Sequence, residues 1–320
     1  MNSLKRFPFF NLIILLAVGC WGHTFAQTTP PLQLKPIRPS QKASVMQTIG
    51  VTDITITYSR PPVKSRTIFA EPSAEMEARH PGEATLDNQN ERKPGEPIVP
   101  YRHVWRAGAN EATLFQVTDD VLINGQPLKA GSYSMHTIPG KDEWTIIFNS
   151  DPGQWGSFTY SADKDALRVK TKAMAAGDSQ EWLTYTFDPV TENSATVNLR
   201  WEKVRVPFTV EVKDVKAAWR KRADEMMAAN PTAQQLPQQA AQTYFGFKNY
   251  DEALKLVEQS IKIKETFGNL SLKSNILWEM GKKEEAQTVA TAAIAKGKAD
   301  KANTTAFEKR VADRTAAKMP

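Results

Sequence analysis

The sequence predicts an α+β chain of several parts: an antiparallel β-sandwich or jelly-roll-like domain over residues 43–213, then an all-α array of helical hairpins over 214–320. Three observations predict it. Apolar side chains recur at every second position through the first two thirds of the chain, which is the strand period. The period becomes helical at Asp214, and two later segments align with each other at an offset of 33 residues.

At the start, Lys5 and Arg6 precede an apolar run over 7–18 that is shorter than the ~20 residues a membrane span needs. That is the layout of a secretory signal over 1–26, with Thr24-Phe25-Ala26 as the cleavage site before Gln27. A lipid anchor at Cys20 is the weaker alternative, because the leucine expected three places before that cysteine is missing and Leu16 lies one place too early. The chain is therefore expected to be exported, periplasmic or associated with the outer envelope. Cys20 is the single cysteine, so cleavage after Ala26 would leave neither disulfide nor cysteine nucleophile. Residues 27–42 carry Pro30, Pro31, Pro36 and Pro39 and read as an extended lead-in.

Within the β part, Ile54, Ile56 and Tyr58 alternate with Thr55, Thr57 and Ser59, which gives one apolar and one polar face. The same alternation marks Leu183, Tyr185 and Phe187, then Val197, Leu199 and Trp201, then Val204, Val206, Phe208, Val210 and Val212. Asn124-Gly125 signals a tight turn after Val121-Leu122-Ile123, and Pro139-Gly140 separates the strands at 133–138 and 144–148. Trp144, Ile146, Ile147 and Phe148 are apolar on both faces and predict a strand covered on each side. Residues 71–97 show neither period and contain four prolines, so they read as a long polar surface loop. Asp119-Asp120 reads as a turn former.

Asp214 is placed to cap a helix over 215–229, and a break from Pro231 to Pro237 follows. Lys248-Asn249-Tyr250-Asp251-Glu252-Ala253 then aligns with Gly281-Lys282-Lys283-Glu284-Glu285-Ala286, Tyr244-Phe245 with Leu277-Trp278, and Ile261 with Ile294. With alanines where helices would cross closely, residues 232–298 resemble tetratricopeptide repeats. The proline that ends the motif is replaced by Glu265 and Lys298, and a helix at 303–318 is expected to cap the stack. Such arrays present grooves to protein segments, so a protein partner at the helical repeats is one expectation.

The charge narrows the function classes. The net +6 falls to +4 without Lys5 and Arg6. Residues 27–213 hold 21 basic and 22 acidic groups, and 214–320 hold 18 and 13. The excess bases are interleaved with acids along helices and form no block with aromatics, so no nucleic acid is expected as a partner. No apolar stretch after the signal reaches a transmembrane length.

The β part also carries distinctive segments: Ala43-Ser44-Val45-Met46-Gln47-Thr48-Ile49-Gly50, Ile54-Thr55-Ile56-Thr57-Tyr58-Ser59-Arg60-Pro61, and Val104-Trp105-Arg106-Ala107-Gly108-Ala109-Asn110-Glu111-Ala112-Thr113. Ala130-Gly131-Ser132-Tyr133, Trp144-Thr145-Ile146-Ile147-Phe148-Asn149, Gln154-Trp155-Gly156 and Leu199-Arg200-Trp201-Glu202 complete the set. Over about 40–212 the chain resembles the DUF2911 family of exported bacterial domains of unknown function. The resemblance implies a β-rich exported domain, sometimes followed by helical repeats, and no reaction.

The richest candidate surface is Arg60, Arg66, His103, Trp105, Arg106, Asn110 and Glu111, with Trp155 nearby. Arginine forks bind carboxylate, phosphate or sulfate, and a tryptophan face stacks on a sugar, so the expected ligand is a carbohydrate or an anionic small molecule. The competing expectation is structural, with Arg106 and Glu111 as partners at a strand end and Trp105 and Trp155 filling the core. His103, His136 and Glu111 form a metal site only if folding gathers them, and His136 alternates away from Tyr133 and Met135, toward solvent or a second sheet. Serine-nucleophile, phosphate-loop and dinucleotide motifs are lacking, and no cofactor is expected. A non-enzymatic envelope protein that binds and scaffolds is the leading expectation; a hydrolase or metal-dependent enzyme acting on envelope polymers is the alternative.

Overall fold

Alternation does make the strands. In chain order they are β1 (Gln41–Ile49), β2 (Thr52–Arg60), β3 (Phe69–Ala70), β4 (Val99–Pro100), β5 (Thr113–Val117), β6 (Val121–Ile123), β7 (Gln126–Leu128), β8 (Gly131–Ile138), β9 (Glu143–Asn149), β10 (Asp165–Lys172), β11 (Met174–Val190) and β12 (Ser194–Glu211). The computed structural model describes residues 37–83, 85 and 93–316. The signal segment, Cys20 and most of the lead-in lie outside the described residues, as does part of the 71–97 segment.

Six strands form an antiparallel sheet in the order β1-β2-β5-β8-β9-β10, and four form another in the order β11-β12-β6-β7. Their apolar faces share one core, in which Phe148 of the first sheet meets Phe115 edge-on at 4.9 Å and Phe208 of the second at 6.0 Å. β9 is covered on both faces, as its composition predicts: Trp144, Ile146 and Phe148 enter this core, and Ile147 joins Val104 and Ile138 in a smaller cluster. The turn joining β6 and β7 is Asn124-Gly125, both at positive φ.

The two alternating runs around 197–212 belong to one strand, β12. Trp201 and Val206 are both fully buried although they are five positions apart, an odd offset that strict alternation would put on opposite faces. The register with β11 shifts on either side of Glu202, which itself stands at φ +53°, and inward positions change from odd to even numbers.

The 71–97 segment is not all loop. It contains a short helix, α1 (Ala74–Arg79), whose first turn is capped by the Ser73 hydroxyl accepting from the Met76 N–H. Six residues are too few to display a helical period, which is why the sequence hides it. Met76 is its buried anchor, and β3 and β4 close the base of the insertion as a parallel pair.

The helices after Asp214 are α2 (Val215–Ala229), α3 (Gln235–Gly246), α4 (Tyr250–Ile263), α5 (Phe267–Glu279), α6 (Lys283–Ala299) and α7 (Thr305–Ala316). Asp214 caps α2 as expected, its carboxylate accepting from Ala217 N–H at 2.9 Å. Pro237 stands in the first turn of α3 rather than in a break, a place where its missing N–H costs no helical bond. α3 packs on α4 and α5 on α6, and small side chains let them approach: Ala241, Ala253 and Ala293 are fully buried and Ala286 nearly so. Among the described residues no helix is long and apolar enough to cross a membrane.

Several contacts among the described residues join the helices to the sheets, with Val215 and Ala218 of α2 packed against the sheet core. The β1–β2 turn touches α2 so closely that a side chain at Gly50 would meet the Val215 Cγ1 at 2.2 Å. Asp119 is more than a turn former. Its buried carboxylate accepts from the Thr52 hydroxyl at 3.0 Å and from Arg222 of α2 at 2.9 Å, and so ties two sheets and a helix at one point.

Candidate functional site

The site grows out of the connection between β4 and β5. The backbones of Trp105 and Thr137 exchange two 2.8 Å hydrogen bonds, which fixes this connection against β8. Ala107 and Asn110 then adopt positive φ and coil the chain, so that Arg106 folds back and donates to the Asn110 carbonyl at 2.7 Å. The Asn110 amide donates in turn to the Ser40 carbonyl at 3.1 Å.

This coil borders a cleft of about 180 Å³ lined by Arg66, Trp105, Arg106, Asn110 and Trp201, with no carboxylate among its described lining residues. The indoles of Trp105 and Trp201 stack at 5.9 Å, and Trp105 N–H donates to the Gly108 carbonyl at 3.1 Å. Trp201 N–H is buried and has no partner, a donor whose desolvation is uncompensated. Arg66 spends two donors on the carbonyls of Val63 and Pro62, and no carboxylate among the described residues pairs with it.

Beside the cleft, Trp155 and Phe158 are 49% and 44% exposed, although the rest of the large aromatic population is mostly in the core. The Arg106 guanidinium lies 5.8 Å from the centre of the Phe158 ring. Gly156 makes that approach feasible. It has φ +66°, and a Cβ there would stand 3.1 Å from the Arg106 Cζ and 3.2 Å from Phe158.

A buried polar network holds the loop that carries these rings. His136 lies within 3.1 Å of the Ser157 hydroxyl on one ring nitrogen and of the Ser134 hydroxyl on the other. The Asn149 amide donates to Ser161 O and to Asp165, and the Tyr160 hydroxyl donates to Asp165 at 2.8 Å while accepting from Arg168 at 2.7 Å. Burial, with Asp165 alongside, pushes the Tyr160 hydroxyl far above its ordinary range, so it stays a neutral donor.

The predicted residues separate into groups. Arg66, Trp105, Arg106 and Asn110 share the cleft. Arg60 does not join them: it donates to Leu183 O at 2.9 Å and to the Thr184 hydroxyl at 2.7 Å, fastening β2 to β11. His103 is also elsewhere, 1% exposed and 3.3 Å from Glu77 of α1, where it helps hold the insertion. Glu77 feels an upward pull from desolvation, which hydrogen bonds and charge from His103 and Arg102 outweigh, leaving its carboxyl below the usual range. Glu111 borders a second cleft beside the first. Trp105 is 5% exposed and built into the core, whereas Trp155, whose backbone pairs with Glu111, stands in solvent.

His136 faces neither solvent nor the second sheet, since the following loop folds over it and buries it completely. His103, His136 and Glu111 are not gathered, and no group of described residues suits a metal ion. Sequence reasoning missed Phe158, Trp201, Lys42 and Gln154. Only Phe158 gave a signal, three residues from Trp155 in a glycine-bearing loop; Trp201 is indistinguishable from its strand neighbours.

Residues 85–210 match a family described as a protein of unknown function (DUF2911), so the chain carries that domain, from just before β4 to near the end of β12. No curated protein and no solved structure matches the chain.

Proposed function

We propose that this chain, carrying a DUF2911 domain, is an exported, non-enzymatic binding protein of the cell envelope that holds an anionic, carbohydrate-type ligand in the Arg66–Arg106 cleft. One observation carries the reading: the cleft is lined by the two arginines Arg66 and Arg106, with no acidic residue among its described lining. Such a donor set suits a carboxylate or sulfate. The exposed rings of Trp155 and Phe158 next to it suit the apolar face of a sugar. The β part is read as a jelly-roll-like sandwich that supports these loops.

The helical part is read as tetratricopeptide-like hairpins that contact a protein. In support, α4 begins at Tyr250 and α6 at Lys283, the 33-residue offset of the sequence alignment, and Phe247 is exposed with Lys216 4.9 Å from its ring. The hydrolase alternative drew on His103, Glu111 and His136, which lie in three different surroundings.

Screening the purified protein against uronic and sulfated glycans, with Arg66→Ala as control, tests the reading. Binding that weakens as salt rises and falls at least tenfold in Arg66→Ala, at unchanged melting temperature, is expected. Binding indifferent to the substitution sinks it.

A further inference from the structure

Outside the β part, a cleft of about 340 Å³ opens where the start of α2 meets the end of α3 and its turn into α4. Asp214, Lys216 and Arg220 line it on one side, Tyr244, Phe247 and Asn249 on the other. Lys216 and Arg220 are four residues apart on one helix, so they share a face and repel each other. Lys216 pairs with no carboxylate among the described residues; its ammonium stands 4.9 Å from the Phe247 ring. Arg220 reaches Glu252 at 3.5 Å, and Glu252 is shared with Lys255 at 3.3 Å. Asp214, the one acid of the lining, is engaged as the cap of α2. Three bases, Lys216, Arg220 and Lys255, against the two acids Asp214 and Glu252 leave one positive charge over.

The opposite side adds donors and a flat apolar wall. Tyr244 is 8% exposed, and its hydroxyl has no hydrogen-bond partner among the described residues yet is not sealed from solvent as the unmatched core atoms are. Asn249 accepts the Glu252 N–H at 3.3 Å on its side-chain oxygen and keeps its amide donors. Phe247 is exposed and stands edge-on to Tyr244 at 6.3 Å.

We propose that this cleft binds a monocarboxylate carried on an aryl or similarly flat apolar group, a site independent of the basic cleft in the β part. One carboxylate between Lys216 and Arg220 offsets their mutual repulsion and accepts hydrogen bonds from both. A phosphate monoester, with about two negative charges, exceeds the single positive excess. The ring of the acid packs on the open side of Phe247. The volume lies at the lower end of the ~300–1,000 Å³ range of small-molecule sites, so one ring and a short acid arm fill it. A free acid and the carboxyl-terminal residue of a partner chain share this chemistry; the second source would be the protein contact read above for the helices.

Nuclear magnetic resonance titrations of the full chain would use 3-phenylpropionate, its amide and propionate, with Lys216→Gln and Arg66→Ala beside wild type and melting curves as fold controls. Wild type is expected to bind the aryl acid, and to bind the amide and propionate about tenfold more weakly. Lys216→Gln, at an exposed position, should weaken the acid about tenfold at an unchanged melting temperature and leave the amide as it was. Arg66→Ala, which disables the basic cleft, should leave the acid unchanged.

Equal binding of acid and amide, indifference of the acid to Lys216→Gln, or no binding by wild type overturns the helical site without touching the anion reading of the β part. Loss of the acid in Arg66→Ala with Lys216→Gln silent assigns it to the basic cleft, which overturns the helical site and supports the other. A tetrapeptide ending in phenylalanine separates the two sources, and the site stands in either case. Binding about tenfold tighter than the aryl acid, lost when the carboxyl end is amidated, identifies a chain end; binding no tighter identifies a free acid.

Discussion

The sheets and the helices of this chain are stabilised by opposite means. The core between the sheets is filled by large rings, with Trp144, Trp201, Tyr185, Phe115 and Phe148 among its largest fully buried side chains. The helix pairs meet over alanines interspersed with Leu256, Val257, Leu270, Leu272 and Ile276, and α2 has no buried residue at all. Clefts border both parts: those at α2 and α3, of about 500 and 340 Å³, are the wider, and those of the β part, of about 140 and 180 Å³, are the narrower. What sets the β part apart is the buried polar network that holds its loops.

The comparison can be broken by reversing the volume in each region. Phe148→Ala should cost about 3–5 kcal/mol, because the surrounding rings relax only partly into the cavity. A smaller shift of the urea midpoint at unchanged slope would mean the core is looser than its burial indicates. In the helices the damaging change is an addition: Ala253→Leu should cost about 1–3 kcal/mol by forcing α3 and α4 apart, read as a loss of helical circular dichroism at lower temperature. At the junction, Asp119→Ala should cost about 2 kcal/mol by leaving Thr52 and Arg222 without their acceptor. Arg222→Ala should cost less, because that side chain is about one third exposed.

Smaller effects sharpen the comparison. Gly156→Ala should cost about 1 kcal/mol for its left-handed backbone and move Arg106 off Phe158, which would appear as weaker glycan binding with a nearly unchanged melting point. The insertion should respond to acid. The carboxyls of Glu75, bonded to Lys93, and Glu77, bonded to His103 and Arg102, lie below the ordinary 4.5, so their contribution is present above that pH and is lost as pH falls below it. Faster hydrogen exchange at 74–79 below pH 4.5, ahead of the sheets, is the expected observation; simultaneous exchange everywhere would contradict it.

Much of this architecture was legible because it is periodic or capped. β2 and β9 follow from alternation, α2 from Asp214 and its helical run, and the β6–β7 turn from Asn124-Gly125. The failures share a cause: they depend on residues far apart in sequence. Arg60 looked available until β11 supplied Leu183 and Thr184, and His136 looked exposed until the loop bearing Ser157 covered it. The unmatched atoms of Trp201 and Gln154 could not be seen at all, since an absent partner is a property of the folded surroundings. The α1 helix was too short to reveal a period.

The misaligned pairing of β11 carries a last consequence. This strand borders the four-stranded sheet, and its register with β12 slips between Ala175 and Gln180, between Gln180 and Thr184, and between Phe187 and Val190. A straight border of that length would offer foreign chains an uninterrupted row of backbone donors and acceptors, the template from which fibrils grow. Three slips break the row, and Val63 N–H and Pro61 O, bonded to Glu181 O and Leu183 N–H, occupy part of it, so the border is no uninterrupted template for a foreign strand.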